Sequence, residues 1–70
     1  MVIFKAQDRN NTIIVIDKIC MVRKYYDPSL QHVIYCSFGH DEHSLYYGGN
    51  EKGTKNDFEE ISCQLCEVGA

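Results

Sequence analysis

The feature that most constrains the fold is the order of the segments in this chain. Four or five short β-type runs come first, and one helix-patterned segment comes last. Strands show as short runs of apolar and β-branched residues between turn residues, whereas an amphipathic helix repeats its apolar residues every three or four positions. We therefore predict an α+β fold, in which a small antiparallel sheet of four to five strands, made of β-hairpins, is capped by one C-terminal helix. At 70 residues the chain forms a single domain, residues 1–70.

The second β-type run is the part of the sequence that most favours self-association. The predicted strands are residues 2–6, 12–16, 19–26, 32–38 and 44–47. Within the second strand, Ile13, Ile14, Val15 and Ile16 are apolar on both faces, which is typical of a central strand covered above and below. One helix covers one face only, so the other cover comes from a partner chain or from a sharply curled sheet. We expect a homodimer or a higher homo-oligomer.

Turn residues and alternation organise the rest of the sheet. Asp8-Arg9-Asn10-Asn11 predicts a tight hairpin turn, because these residues tolerate left-handed backbone geometry. Asp27-Pro28-Ser29 predicts a second turn, because proline presets the backbone angle and aspartate can bond its own backbone. The third strand alternates, with one face carrying Ile19, Met21, Arg23 and Tyr25 and the other carrying Cys20, Val22, Lys24 and Tyr26. Strand register and the choice of buried face stay open, since a turn one residue longer would reverse the faces.

The helix is predicted over residues 56–67. Asn56 is a good N-cap, and Glu59 is placed to complete a capping box. The residues of one apolar stripe, which would seal the sheet, are Phe58, Ile61, Leu65 and Val68. The preceding segment, residues 48–55, is rich in glycine and charge and is predicted to be a loop. Its Gly-Thr-Lys order does not match the Gly-Lys-Ser/Thr of a phosphate-binding loop, and so we do not expect nucleotide hydrolysis.

Composition excludes several classes of function. The formal net charge of -3 and the pI near 5.4 argue against non-specific nucleic-acid binding. The sequence shows neither a secretory leader nor an apolar run of 18 residues, which predicts a cytoplasmic protein (in the host cytoplasm if the chain is viral) without membrane contact. No triad-like arrangement of serine, cysteine and histidine is present. We therefore expect no catalysis and no cofactor.

Four cysteines raise the question of disulfides and metals. Without a leader, free thiols are the default, and Cys20 and Cys36 fall in apolar runs where cysteine serves as a small buried hydrophobe. The C-x-x-C of Cys63 and Cys66 lies well inside the predicted helix, away from the N-terminal donors that lower a thiol pKa. Tetrahedral zinc would need two further ligands, for which the weak candidates are His40 and His43. We predict structural thiols and no metal.

The layout of the chain resembles small bacterial domains of the FlbD type. The matching residues are the segment 16–22, which reads Ile-Asp-Lys-Ile-Cys-Met-Val, the strand pair after it, and the acidic helix start 57–61, which reads Asp-Phe-Glu-Glu-Ile. The resemblance implies the sheet-plus-helix fold and a regulatory role connected with flagella.

The binding surface is predicted from a basic and aromatic group. Tyrosine and arginine are enriched at interface hot spots, and Arg23 and Lys24 are the only adjacent basic pair. His32 and Tyr35 lie nearby in the strand order. The candidate binding residues are Arg23, Lys24, Tyr25, Tyr26, Tyr46, Tyr47, Lys52 and Lys55. We predict a non-enzymatic inhibitor or adaptor of a host macromolecule, of the kind that phages and mobile elements encode. The alternatives are a homo-oligomer that sequesters a small anionic ligand, such as a nucleotide signal, and an FlbD-like regulator.

Overall fold

The computed structural model describes residues 2–69, with side chains through Cys66, and shows two antiparallel sheets and a C-terminal helix. The strands are β1 (Ile3–Lys5), β2 (Ile13–Val15), β3 (Met21–Asp27), β4 (Gln31–Ser37) and β5 (Glu42–Gly48), and the helix is α1 (Glu51–Gly69). A 3-10 turn, Ile16–Lys18, joins β2 to β3. The predicted α+β fold class is confirmed. No helix in residues 2–69 has the length and apolar character needed to cross a membrane.

The larger sheet has the order β3-β4-β5. The turn between β3 and β4 forms at Asp27-Pro28-Ser29 as predicted. The carboxylate of Asp27 accepts hydrogen bonds from the backbone N–H groups of Ser29 and Leu30, at 2.7 and 3.1 Å, and these bonds stabilise the turn. Asp27 pairs with Gln31, so the loop holds three residues. That loop length sets the register of the sheet and therefore decides which side chains share a face.

The smaller sheet is the hairpin of β1 and β2. Its turn is held by Asp8, whose carboxylate accepts hydrogen bonds from the backbone N–H and the hydroxyl of Thr12, both at 2.7 Å. The prediction of a central strand over residues 12–16 is wrong. Within residues 2–69, β2 pairs with β1 alone. Of its apolar run, Ile14 and Ile16 are buried, Val15 is half-buried, and Ile13 is 64% exposed.

The core lies between the larger sheet, the hairpin and α1. Its buried residues are Ala6, Ile14, Ile19, Ile34, Cys36, Leu45, Tyr47 and Ile61. Phe58 and Leu65 of the predicted helix stripe pack against this cluster, whereas the side chain of Val68 lies outside the described residues. Cys36 is buried as predicted. The same prediction for Cys20 is wrong, because Cys20 precedes β3 and is exposed.

The helix begins five residues earlier than predicted. Asn50, not Asn56, is the N-cap: its side-chain oxygen accepts a hydrogen bond from the backbone N–H of Gly53 at 2.9 Å. The first helical bond follows, from the N–H of Thr54 to the carbonyl of Asn50 at 3.1 Å. A side chain at position 53 would collide with the folded-back Asn50 side chain. The glycine that was interpreted as a loop residue is therefore part of the helix cap.

A buried carboxylate ties the three layers together. Asp57 accepts hydrogen bonds from the backbone N–H of Gln7 at 2.6 Å and from the hydroxyl of Tyr47 at 2.5 Å. Both side chains of the latter pair are almost fully buried. Burial, reinforced by the Asp57 carboxylate, strongly raises the pKa of Tyr47. This contact joins the segment after β1, the end of β5 and α1, and so it fixes how the helix sits on the sheet.

Candidate functional site

The face of the larger sheet that points away from the core carries most of the predicted aromatic and basic residues. Ile34 and Cys36 of β4 point into the core, so the alternation of a strand sends Val33 and Tyr35 to the opposite face. The register places Val33 between Tyr25 and Tyr46, and it places Arg23 beside Tyr35. We call this surface the tyrosine–arginine face; its residues are Arg9, Arg23, Tyr25, Val33, Tyr35 and Tyr46.

A buried valine shows how the tyrosines are arranged. Val33 has no solvent exposure, although it does not belong to the main core cluster. Its direct neighbours across the strands are Tyr25 and Tyr46, which keep 39% and 37% of their surface exposed. Val33 is thus shielded from solvent on a sheet face where two half-exposed tyrosines flank it. Tyrosines in this position present flat apolar surface with a polar tip to solvent.

One end of this face is formed by Arg23. Its guanidinium carbon lies 5.8 Å from the centre of the Tyr35 ring, within the range of a cation–π contact. Arg23, Tyr25 and Tyr35 line an open hollow of about 450 Å³. Hydrogen bonding to the carboxylate of Glu42 raises the pKa of Tyr35.

The other end is formed by Arg9, which is not among the predicted binding residues. The backbone N–H of Arg9 donates to the carbonyl of Tyr46 at 3.0 Å, and this bond anchors the β1–β2 turn to the edge of β5. Its guanidinium lies against Gly48, where a side chain would collide with it. Gly48 has a φ of +61°, a left-handed conformation that favours glycine. Arg9 and Tyr46 also line a hollow of about 290 Å³ together with Leu30 and Gln31.

The remaining predicted site residues lie elsewhere. Lys24 and Tyr26 belong to the opposite face of β3, beside α1: the Lys24 ammonium lies 5.4 Å from the Phe58 ring centre, and the Tyr26 ring meets His32 edge to face at 5.0 Å. The residues that line the hollow between β3 and α1, of about 230 Å³, are Lys24, Tyr25, Tyr26, His32, Glu51, Thr54 and Lys55.

Two further members of the predicted site lie apart from both surfaces. Tyr47 lies in the core, where its hydroxyl is bound to Asp57 and is not available to a partner. Lys52 is exposed on the first turn of α1 and not in a loop, because residues 51–55 are helical. The prediction of a loop over residues 48–55 is therefore wrong for its last five residues.

The thiols and imidazoles do not assemble into a metal centre within the described part of the chain. Among these side chains, no three of the types His, Cys, Asp and Glu come close enough to hold an ion. Cys20, Cys63 and Cys66 are exposed. Burial raises the pKa of the Cys36 thiol to about 11, so this thiol is protonated, and thus a poor nucleophile, at neutral pH.

Binding, by stacking, hydrogen bonding and charge, is the chemistry that the tyrosine–arginine face offers. Its tyrosines provide flat apolar surface with a polar tip, and its two arginines provide planar donor groups. Kinship with known proteins adds nothing to this description. No protein-family model matches the chain, and no match was found among curated proteins or among solved structures.

Proposed function

We propose that this chain is a non-enzymatic binding module that engages a protein partner through the tyrosine–arginine face and acts as its adaptor or inhibitor. The observation that carries the proposal is the complete burial of Val33 between its cross-strand neighbours Tyr25 and Tyr46, on the face that the helix leaves open. Side chains that are already packed lose little conformational entropy on binding, and this raises the affinity that each contact yields.

The composition of the face suggests the chemistry of the partner. Tyrosine and arginine dominate interface hot spots, and hot spots cluster in the centre of an interface. Arg23 and Arg9 lie towards the two ends of the face in a chain whose net charge is -3. The complementary surface is therefore apolar at its centre and acidic at its margins. Opposite charges at the margins mainly raise the association rate and fix the orientation of a complex.

The experiment compares two neighbouring tyrosines on opposite faces of β3. Tyr25→Ala removes a residue of the face, and Tyr26→Ala removes a side chain that is 60% exposed on the other side of the same strand. Partners are first captured from the cells that produce the protein, by crosslinking to the wild type, and their affinities are then measured by calorimetry. A hot-spot residue contributes about 2 kcal/mol or more, so we expect Tyr25→Ala to weaken binding roughly 30-fold and Tyr26→Ala to leave it unchanged.

Tyr25→Ala also removes a neighbour of the buried Val33, so its effect on binding has to be separated from an effect on folding. A charge reversal at a second position makes this separation. Arg23→Glu changes an exposed residue and should preserve the melting temperature while it weakens binding. If Tyr25→Ala and Arg23→Glu both fold and both bind the partner with wild-type affinity, the proposed face is wrong. Protection of residues 21–27 from hydrogen exchange in the complex gives an independent check on where the partner lies.

A second candidate function is the capture of a small anionic ligand in the hollow between β3 and α1. Lys24 and Lys55 both line this hollow, together with Tyr26 and one acidic residue, Glu51. Its volume of about 230 Å³ is below the usual range for ligand pockets, so it fits a phosphate-sized group and would need a neighbouring chain to enclose a nucleotide. Arg23 lies on the opposite face of β3 and cannot join this site within one chain.

Titration with AMP tests the second candidate. We expect saturable binding that Lys24→Ala and Lys55→Ala both abolish and that Arg23→Ala leaves intact. A calorimetric titration without heat at millimolar AMP, or one that all three variants leave unchanged, would reject it. The FlbD-like regulatory role stays a prediction, since the resemblance concerns layout and identifies no contact residue.

A further inference from the structure

The strand β3 (Met21–Asp27) forms a long free edge of the larger sheet. Its one sheet neighbour within residues 2–69 is β4, and at seven residues it is more than twice as long as either strand of the smaller sheet. Lys24 and Tyr26 lie on the side of α1, yet both are exposed. An exposed edge strand can bind an extended segment of another protein by strand addition.

The hydrogen bonds of β4 show which backbone groups of β3 point outward. The N–H of Phe38 donates to the carbonyl of Asp41 at 2.8 Å, in the direction of β5. The carbonyl of Ser37 accepts from the N–H of Cys20 at 2.7 Å, in the direction of β3. Odd-numbered residues of β4 therefore bond to β3, and the register pairs them with odd-numbered residues of β3. The β3 residues whose N–H and carbonyl groups point away from the sheet are Val22, Lys24 and Tyr26.

The two cations of β3 do not lie across this edge. The Arg23 guanidinium lies 5.8 Å from the Tyr35 ring centre in β4, and the Lys24 ammonium lies 5.4 Å from the Phe58 ring centre in α1. Hollows of about 450 and 230 Å³ flank the strand, one on each face, and Tyr25 lines both. Side chains of an added strand alternate in direction, so they would reach the two hollows in turn.

The charge around this edge favours an acidic occupant. Arg23 and Lys24 lie in the middle of β3, and the hollow beside α1 adds Lys55 and one acidic residue, Glu51. The local charge is therefore positive in a chain whose net charge is -3. Opposite charges attract across paired strands, whereas like charges repel. A second copy would bring its own Arg23 and Lys24 to the same edge, so an acidic segment is favoured over self-pairing.

We infer that the protein partner adds one extended segment to β3, antiparallel to residues 21–25. Two consecutive acidic residues of this segment lie opposite Arg23 and Lys24, and an apolar residue lies opposite Tyr25. Tyr26 lies outside the paired stretch. This inference rests on the proposed function, since it takes the partner to be a protein, and it adds recognition through the backbone to recognition through the tyrosine–arginine face.

A synthetic peptide, acetyl-Val-Glu-Glu-Val-Thr-amide, tests the edge. Antiparallel pairing places its two glutamates opposite Lys24 and Arg23. By NMR, we expect the amides of Val22 and Lys24 to exchange about twofold more slowly at a peptide concentration equal to Kd and about elevenfold more slowly at ten times Kd. The amides of Arg23 and Tyr25 already bond to β4, so the peptide should leave their exchange unchanged.

Matched peptides separate backbone pairing from simple charge attraction. N-methylation of the first glutamate removes the donor to the Lys24 carbonyl and should abolish the protection, whereas N-methylation of the second glutamate, whose N–H points away from β3, should preserve it. A peptide with lysines in place of both glutamates should protect only the double variant Arg23→Glu, Lys24→Glu. Equal protection of the wild type by the glutamate and lysine peptides, or none at millimolar glutamate peptide, would overturn the inference.

The captured partner distinguishes this inference from the proposed function. If Tyr25→Ala and Arg23→Glu weaken its binding while the amides of Val22 and Lys24 stay unprotected in the complex, the face binds the partner and the inference of strand addition is wrong. If both amides are protected but Tyr46→Ala, on the far strand of the face, binds with wild-type affinity, strand addition stands and the proposed extent of the face is wrong.

Discussion

The buried contact between Tyr47 and Asp57 leads to a prediction about stability. In Tyr47→Phe the ring still fills its place in the core, but Asp57 loses the hydroxyl donor at 2.5 Å and keeps only the backbone N–H of Gln7. The substitution therefore removes one hydrogen bond to a buried carboxylate with little change in packing volume. We expect a large loss of stability from the removal of one oxygen atom.

The expected loss in the free energy of unfolding follows from the type of hydrogen bond that Tyr47→Phe removes. A hydrogen bond to a charged group contributes about 1.5 to 3 kcal/mol to the free energy of unfolding. A domain of this size has roughly 3.5 to 10 kcal/mol in total, so the substitution removes a substantial fraction of its stability. Each kcal/mol lowers the melting temperature of a small domain by about 4 to 8 °C. The expected decrease is therefore about 6 to 24 °C.

Urea denaturation, followed by far-UV circular dichroism, measures the loss in the free energy of unfolding directly. Tyr26→Phe is the matched control, because it removes the same oxygen atom from a tyrosine that is 60% exposed, and it should change the free energy of unfolding by less than about 0.5 kcal/mol. If Tyr47→Phe falls within the same limit, the bond to Asp57 does not stabilise the fold. A double-mutant cycle with Asp57→Asn would then show no coupling energy.

Two further predictions concern alkaline pH and the helix cap. Burial raises the pKa of Cys36 to about 11 and raises that of Tyr47 still further, so the folded state keeps both protons at pH values where the unfolded chain has begun to lose them. The contribution of these two groups to the free energy of unfolding should therefore be constant below about pH 9 and fall above it, by up to about 1.4 kcal/mol per pH unit for each group, and Tyr47→Phe should remove the share that begins near pH 10. Urea melts at a series of alkaline pH values measure the slope, and a free energy of unfolding that stays constant from about pH 9 to about pH 11 would contradict the assignment. At the helix start, Asn50→Ala should cost about 0.5 to 2 kcal/mol because it removes the acceptor for the Gly53 N–H, whereas Asn56→Ala, inside the helix, should be neutral or slightly stabilising. Equal effects of the two alanine substitutions in thermal melts would show that Asn50 does not cap α1.

Fold class and segment order are predictable from this sequence because they depend on local signals. The turn at Asp27-Pro28-Ser29 forms as its residues indicate, since the Asp27 carboxylate makes the bonds that define it. Phe58, Ile61 and Leu65 of the predicted helix stripe likewise face the core. Each of these features needs only residues that are close in sequence.

The tyrosine–arginine face depends on register, which local signals leave open. Arg23 and Tyr25 share a face on any register, but their position opposite Tyr35 and Val33 requires a loop of three residues between β3 and β4. A loop one residue longer would have placed them opposite core residues of β4. Arg9 was missed because its role depends on a single long-range bond to Tyr46. Nothing in residues 8–11 alone indicates that contact.

The error in the helix start and the error in β2 have different physical origins. Gly53 was assigned to a loop, yet its missing side chain is what lets Asn50 fold over the helix start. Conversely, the apolar run at residues 13–16 was assigned to a covered central strand, yet only alternate residues are covered by the chain itself. The sequence pattern reports that these residues avoid water, not which chain covers them. Ile13 therefore shows that an apolar run can predict burial for a residue that the described chain leaves 64% exposed.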